Sequence, residues 1–178
     1  MNLSPPLHEH LTRRRVEFAD TDMEGIIHFS RFFIFMETAE HQFLNALGSS
    51  VASRHNGKRL GWPRTAVGCE FLRPVRFEDE LGIRLLVLRK GARAITYGCE
   101  FRLVPGVVST TPRTSYDVGA ADGARDELVA RGQSTSVCCS MEEEGGLRSI
   151  EIPPGLAERI AEIGAEEKAR WRSPIRPL

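Results

Sequence analysis

One apolar helix followed by alternating strands is the feature of this sequence that most constrains its fold. Residues 30–47, SRFFIFMETAEHQFLNAL, have helix-forming composition, and apolar side chains recur there every three or four positions. Ser30 is placed to cap the start of this helix, and Gly48 is placed to end it. The run from Phe33 to Phe35 makes the first turns apolar on nearly every side. That end of the helix must therefore be covered from more than one direction.

After this helix the sequence changes to the two-residue period of β-strands. Apolar residues alternate over 67–71, 81–87 and 95–103, and 129–141 also has strand character. The segment RKGAR, residues 89–93, offers a turn, so we expect a hairpin there. A long apolar helix is buried economically when one curved antiparallel sheet wraps around it. The pattern therefore predicts an α+β domain.

Length and charge predict one domain with no general affinity for nucleic acid or membranes. The 178 residues suit a single domain over 1–178. Lysine plus arginine and aspartate plus glutamate both number 24, so the net charge is zero and nothing draws the whole surface to a polyanion. The sequence has no run typical of a signal peptide or a membrane span, which favours a cytoplasmic protein. The high content of Gly, Pro, Ser and Thr in residues 105–125 predicts an inserted loop. The polar segment that follows two prolines predicts a C-terminal helix over 153–171.

The segment FADTDMEGIIHF, residues 18–29, places two aspartates directly before the apolar helix. A buried unpaired carboxylate is costly, so Asp20 and Asp22 need a partner or a chemical role. The N–H groups at a helix start lack internal acceptors and carry the positive end of the helix dipole, which suits a carboxylate or a developing oxyanion. Gly25 allows a sharp bend and a close approach to the backbone. Two interpretations follow: the aspartates cap the helix or its turn, or Asp22 attacks a carbonyl or delivers water to it.

The same residues carry a family resemblance. VEFADTDMEGIIHFSRFFIFMETAEHQFLNALG resembles the signature of hotdog-fold acyl-CoA thioesterases of the 4-hydroxybenzoyl-CoA thioesterase type, and FLRPVRFEDELGI and VARGQSTSVCCSM resemble later parts of that pattern. The resemblance implies a hotdog fold and hydrolysis of an acyl- or aroyl-CoA thioester to free acid and CoA, with no separate cofactor. It implies that Asp22 is the catalytic carboxylate, as nucleophile or general base, and that the Phe29 backbone N–H polarises the thioester carbonyl. Gly25 then permits close approach, and Asp20 has a structural role in the loop.

The chain departs from the family pattern inside the helix and carries a histidine that opens an alternative. Arg31-Phe32 stands where Asn-Tyr or Ser-Tyr is common, and Glu40 stands where an arginine is usual. His28, six residues after Asp22, could transfer a proton, which supports an enoyl-thioester hydratase or dehydratase as an alternative enzyme. A non-catalytic acyl-thioester binding protein is the alternative of another class.

The remaining candidate residues concern the substrate and the assembly. The CoA phosphates should meet basic side chains, and the candidates are Arg73 (beside Arg76), Arg89, Lys90 and Arg93. Phe32 is the candidate to line the acyl pocket. Glu37 and His41 could share a helix face, but two ligands are too few for a metal site, so no metal is expected. The apolar first turns predict a homodimer or a dimer of dimers in which helix and sheet edges meet a second copy.

Overall fold

The computed structural model describes residues 5–104, 126–141 and 146–175, and the insertion predicted over 105–125 lies outside them. One long helix packs against a five-stranded antiparallel sheet, which confirms the predicted α+β class. The helix is α1 (Phe29–Ala46), and the strands, in spatial order, are β1 (Glu9–Arg15), β5 (Glu80–Lys90), β6 (Ala94–Leu103), β7 (Leu128–Val137) and β4 (Arg64–Phe71). A smaller sheet contains β2 (Arg54–His55), β3 (Lys58–Gly61), β8 (Cys139–Met141) and β9 (Leu147–Ser149).

The central helix begins and ends within one residue of its predicted bounds. Its N-cap is His28 rather than Ser30, and no side chain caps the helix start. At the other end Gly48 has φ +65°, a conformation that glycine adopts without strain. The Gly48 N–H bonds the Asn45 carbonyl at 2.8 Å and the Ser49 N–H bonds the Leu44 carbonyl at 2.9 Å, as in a Schellman motif.

The core lies between α1 and the inward faces of the central strands. The predicted alternation in β5 and β6 is confirmed, because Leu85 and its register partner Cys99 are both fully buried. Cys99 in turn pairs with Gly132 on β7. A Cβ at Gly132 would overlap the Met36 sulfur, so the absence of a side chain there lets the helix lie directly on the sheet.

The edge strand β4 exposes its apolar residues. The strand predicted at 67–71 is confirmed, but Val67 and Phe71 are 46% and 47% exposed. Within the residues that the structure describes, β4 pairs only with β7, so its other edge has unpaired backbone groups. An exposed apolar edge strand is a surface on which another strand can pair.

The single C-terminal helix predicted over 153–171 is wrong. The structure has two short helices there, α2 (Pro154–Ala157) and α3 (Ala165–Arg170). Between them the chain bonds to the segment before β1 and to β5 instead: Ile160 bridges Leu7, and the Ile163 N–H bonds the Val87 carbonyl at 3.0 Å. Both isoleucines are buried. Burial against Leu7 and β5 therefore outweighs the helical preference of this polar segment.

The C-terminal segment covers the outer face of the large sheet. Leu86, Leu88 and Ile163 form a second apolar cluster with Trp171 against it. Gly98 makes room for the indole, because a Cβ there would lie 2.6 Å from Trp171. None of the helices in the described ranges is long and apolar enough to cross a membrane.

Candidate active site

A tight turn before α1 holds the two aspartates. Thr21 and Ile27 form an antiparallel bridge, and the Asp22 N–H bonds the Ile26 carbonyl at 2.9 Å. The turn closes through a 3.0 Å bond from the Gly25 N–H to the Asp22 carbonyl. Gly25 has φ +70°, so this turn depends on a residue without a Cβ. The backbone around Asp22 is therefore fixed by hydrogen bonds on both sides of the turn.

Asp20 is a structural carboxylate. It is fully buried, and its Oδ1 accepts a 2.7 Å hydrogen bond from Nε of Arg31. Its Oδ2 accepts a 2.9 Å bond from the Glu17 N–H, and the Arg14 guanidinium is 3.9 Å away. The ion pair compensates the burial of the charge and joins the turn to the first turn of α1. Arg31, which the sequence marked only as a departure from the family pattern, is the partner that Asp20 requires.

Asp22 differs from Asp20 in both exposure and partners. It is partly exposed, and its Oδ1 accepts a 3.0 Å bond from the Glu24 N–H. Among the described residues no ion pair involves Asp22. The turn therefore presents one carboxylate that is oriented by the backbone and that has no ion-pair partner within the described residues.

The start of α1 follows this turn directly. Phe29 is the first helical residue, three positions after the Ile26 carbonyl that bonds Asp22. The first N–H groups of a helix have no intrahelical acceptor and carry partial positive charge, so an oxygen atom can bind there. The Phe29 side chain is 57% exposed. The structure thus brings the two central predicted residues, Asp22 and Phe29, into one turn-and-helix unit.

His28 lies at the same place and is exposed. Its Nδ1 is 2.7 Å from the Ser30 hydroxyl, and its ring centroid is 4.5 Å from that of Phe29. The sequence predicted Ser30 as a helix cap and did not predict this contact.

Phe32 packs in the core, with little surface for a ligand. It is 3% exposed and lies 5.2 Å from the ring of Phe71 and 5.1 Å from the ring of Phe101. Phe71 is the half-exposed member of this cluster. In the isolated chain, Phe71 and Phe29 therefore offer more apolar surface to a ligand than Phe32 does.

The predicted basic residues fall into two separate groups. Arg89 and Arg93 are exposed at the β5–β6 turn, and Lys90 beside them donates to the carbonyls of Ala157 and Ile160 at 2.8 and 2.7 Å. Lys90 thus holds the C-terminal segment. The acidic turn is bonded to residues that precede β5, at the other end of that strand. The strand from Glu80 to Arg89 spans roughly 30 Å. Arg89, Lys90 and Arg93 are therefore too far from Asp22 to share a site with it within one chain.

The second basic group lies closer to the acidic turn. Arg76 forms a bridge with Ile26, and a Cβ at Gly25 would lie 3.9 Å from its guanidinium. Arg73 forms a 3.0 Å ion pair with Glu127. Arg76, which was named only beside the candidate Arg73, therefore lies against the acidic turn.

Glu40, the other departure from the family pattern, is a buried ion-pair partner. Its carboxylate bonds Arg64 on β4 at 2.6 Å and accepts a 2.8 Å bond from the Ser136 hydroxyl on β7. Burial, with a smaller contribution from the Glu40 charge, raises the pKa of the neighbouring Tyr97 well above its usual value. Glu37 and His41 are 3.9 Å apart on the outer side of the helix.

These features define a hotdog-fold protein, with one helix against an antiparallel sheet and an acidic turn at the helix start. The sequence pattern of the Thioesterase superfamily matches residues 24–110, beginning two residues after Asp22. Over these residues the chain is similar to the members of this superfamily.

Individual proteins resemble the chain over different extents. A protein of Aquifex aeolicus (strain VF5) named "Putative esterase" is 33% identical over 73 residues, which cover 41% of this chain and 56% of that protein. The chain thus spans little more than half the length of this curated relative.

Two solved structures share the fold at lower identity. The 4-hydroxybenzoyl-CoA thioesterase from Pseudomonas sp. strain CBS-3 is 20% identical, with a TM-score of 0.67, covering 86% of this chain and 99% of its own. A 1,4-dihydroxy-2-naphthoyl-CoA thioesterase from Synechocystis is 19% identical, with a TM-score of 0.66, covering 85% and 95%. At these identities the likeness establishes the fold alone.

Proposed function

We propose that this chain hydrolyses the thioester of an acyl-CoA or aroyl-CoA to the free acid and CoA. The observation that carries the proposal is the division between the two aspartates of the turn. Asp20 is buried and ion-paired to Arg31, whereas Asp22 is partly exposed and oriented by the Glu24 N–H. Asp22 is partly exposed and has no ion pair within the described residues, so its carboxylate is accessible to a substrate. The match of residues 24–110 to the Thioesterase superfamily supports a hydrolytic role for it.

In the proposed reaction the thioester carbonyl oxygen lies against the Phe29 N–H at the start of α1. That N–H and the helix dipole stabilise the negative charge that develops on the oxygen during attack. Asp22 either attacks the carbonyl carbon to form an anhydride or removes a proton from an attacking water. Both routes use the same carboxylate and need no metal or redox cofactor.

We assign substrate binding to the exposed apolar residues and to the basic residues. Phe29 and Phe71 are about half exposed and offer apolar surface to the acyl group. Arg76 near the turn, and Arg89 and Arg93 from another subunit, are candidates to meet the phosphates of CoA. The separation of the two basic groups along β5 supports a site that a second chain completes.

The proposed assembly is a homodimer, or a dimer of dimers, in which β4 meets a second copy. The free edge of β4 offers unpaired backbone groups, and Val67 and Phe71 are exposed along the same strand. A twofold contact at this edge would cover these side chains with the same residues of the partner.

The proposal is tested by thiol release from a panel of aliphatic and aromatic acyl-CoAs. Asp22→Asn should lower the rate at least about 100-fold, the lower range for loss of a general base. The matched control is Glu24→Gln, which removes an exposed carboxylate from the same turn and should retain the parent rate. Folding and assembly of each variant are checked by circular dichroism and by light scattering.

Other results would replace the proposal by one of its alternatives. Hydration of an enoyl-CoA without thiol release, lost in His28→Gln, would identify a hydratase. Binding of acyl-CoA that survives in Asp22→Asn, with no turnover by either form, would identify a binding protein.

A further inference from the structure

We infer that Ser30 is a positioning residue that holds His28 so that its Nε2 transfers a proton in the active site. The chemical step of this inference rests on the thioester hydrolysis proposed above. The orientation of the His28 ring rests on its contacts with Ser30 and Phe29, so it can be tested independently of the proposed hydrolysis.

Two contacts fix the His28 ring. Its Nδ1 is 2.7 Å from the Ser30 hydroxyl oxygen, and its ring lies against Phe29 with a centroid separation of 4.5 Å and an interplanar angle of 37°. His28 is the N-cap residue of α1, and no side chain bonds the helix start. A serine in the first turn commonly caps a helix, but here its hydroxyl faces the imidazole instead.

The role of the Ser30 hydroxyl follows from the two charge states of the imidazole. A hydroxyl can either donate or accept, whereas an imidazolium can only donate from both ring nitrogens. The contact keeps one direction through a proton-transfer cycle, with no rotation of the hydroxyl, if Ser30 accepts from Nδ1–H in both states. Nε2 is then the nitrogen that gains and loses the proton. Ser30 thus selects the tautomer with the proton on Nδ1 when the ring is neutral.

The position of His28 at the helix start suits protonation of the sulfur atom that leaves as the thiol. Its ring precedes Phe29, whose N–H binds the carbonyl oxygen in the proposed reaction. As the water oxygen bonds the carbonyl carbon, Asp22 takes one water proton. The carbon–sulfur bond then breaks, and the sulfur keeps the bonding electrons and takes the proton from Nε2. The proton held by Asp22 returns through solvent to His28, so acid and thiol form with no net change in the protein.

The first test is nitrogen-15 NMR of the histidine rings, which needs no substrate. The chain has five histidines, and His28→Gln identifies the signals of His28. The inference predicts that neutral His28 in the parent carries its proton on Nδ1, that Ser30→Thr keeps this tautomer, and that Ser30→Ala shifts it towards Nε2–H. The same tautomer in the parent and in Ser30→Ala would overturn the inference.

The second test is kinetic, and it separates positioning from a purely structural role. His28→Gln should lower kcat about 100-fold, the lower end of the range for general acid catalysis. Ser30→Ala should lower kcat less, by about tenfold and with little change in KM, because the imidazole remains and loses only its orientation. Ser30→Thr should restore the rate. The double variant should be no slower than His28→Gln alone, because Ser30 acts through the ring.

A matched control removes a different hydroxyl from the same helix. Thr38 donates to the Ile34 carbonyl at 2.9 Å and lies on the exposed side of α1. Thr38→Ala should leave both the tautomer and kcat unchanged. Equal losses of kcat in Thr38→Ala and Ser30→Ala would overturn the inference. If the parent releases thiol from no acyl-CoA, the proposed hydrolysis fails, while the NMR comparison still decides whether Ser30 sets the tautomer.

Discussion

Replacing Arg31 by methionine should destabilise the protein by leaving Asp20 buried without its main partner. The Asp20 side chain is fully buried and the Arg31 side chain is 29% exposed. Removal of one partner from a buried pair costs about 3–5 kcal/mol. The partial exposure of Arg31 and the remaining Glu17 N–H reduce this, so we expect a loss of about 2–3 kcal/mol in the free energy of unfolding.

The assay is urea denaturation of a double-mutant cycle. Arg31→Met, Asp20→Asn and the double variant are compared with the parent, and the coupling energy between the two residues should be about 2 kcal/mol. The control cycle removes the surface pair of Arg13 and Glu80, which are 3.3 Å apart with 71% and 24% of their side chains exposed. This exposed pair should couple by roughly 0.5 kcal/mol or less.

The cycle also tests how the site is built. A coupling between Asp20 and Arg31 no larger than that of the surface pair would refute the reasoning, because the buried pair would then not hold the turn to the helix. Because that turn carries Asp22, Arg31→Met should also lower the rate of thiol release under conditions in which the variant is fully folded.

Three further predictions concern packing and ionisation. Gly132→Ala should cost about 1–3 kcal/mol in urea denaturation, since its methyl group overlaps the Met36 sulfur. Trp171→Ala should cost about 1–2 kcal/mol through lost apolar burial, and it should make Gly98→Ala less destabilising in the double variant, because the indole occupies the space beside Gly98. Burial raises the pKa of the Cys138 thiol to about 11, so the unfolded state loses this proton first as the pH rises. The free energy of unfolding should therefore fall between about pH 9 and pH 11, and the fall should be smaller in Cys138→Ala. Equal slopes in the two proteins would contradict this assignment.

The elements with strong periodicity could be predicted from the sequence. The helix beginning at Phe29 and the alternation in β5 and β6 follow directly from the order of apolar residues. The C-terminal helix could not be predicted correctly, because the local preference of a polar segment is overridden by contacts distant in sequence. Ile160 is buried beside Leu7 and Ile163 beside β5, and no local pattern specifies those partners.

The turn and the helix start that carry the candidate site could be predicted from a local motif, whereas the long-range ion pairs could not. The order Asp22, Gly25, Phe29 lies within eight residues, so the motif fixes both the turn and the helix start. The pairing of Glu40 with Arg64 joins residues 24 positions apart, and an acidic residue in the helix gave no indication of its partner. Lys90 was a candidate for phosphate binding, yet its ammonium bonds two carbonyls of the C-terminal segment.

The most direct test of the central claim is the first turnover of the parent and of Asp22→Asn, with enzyme in excess over the acyl-CoA that the parent hydrolyses fastest. Excess enzyme separates the chemical step from product release. We expect the variant to bind the acyl-CoA as tightly as the parent and to release thiol at least about 100-fold more slowly. A first turnover in Asp22→Asn within about threefold of the parent rate would contradict the assignment of Asp22 as the catalytic carboxylate.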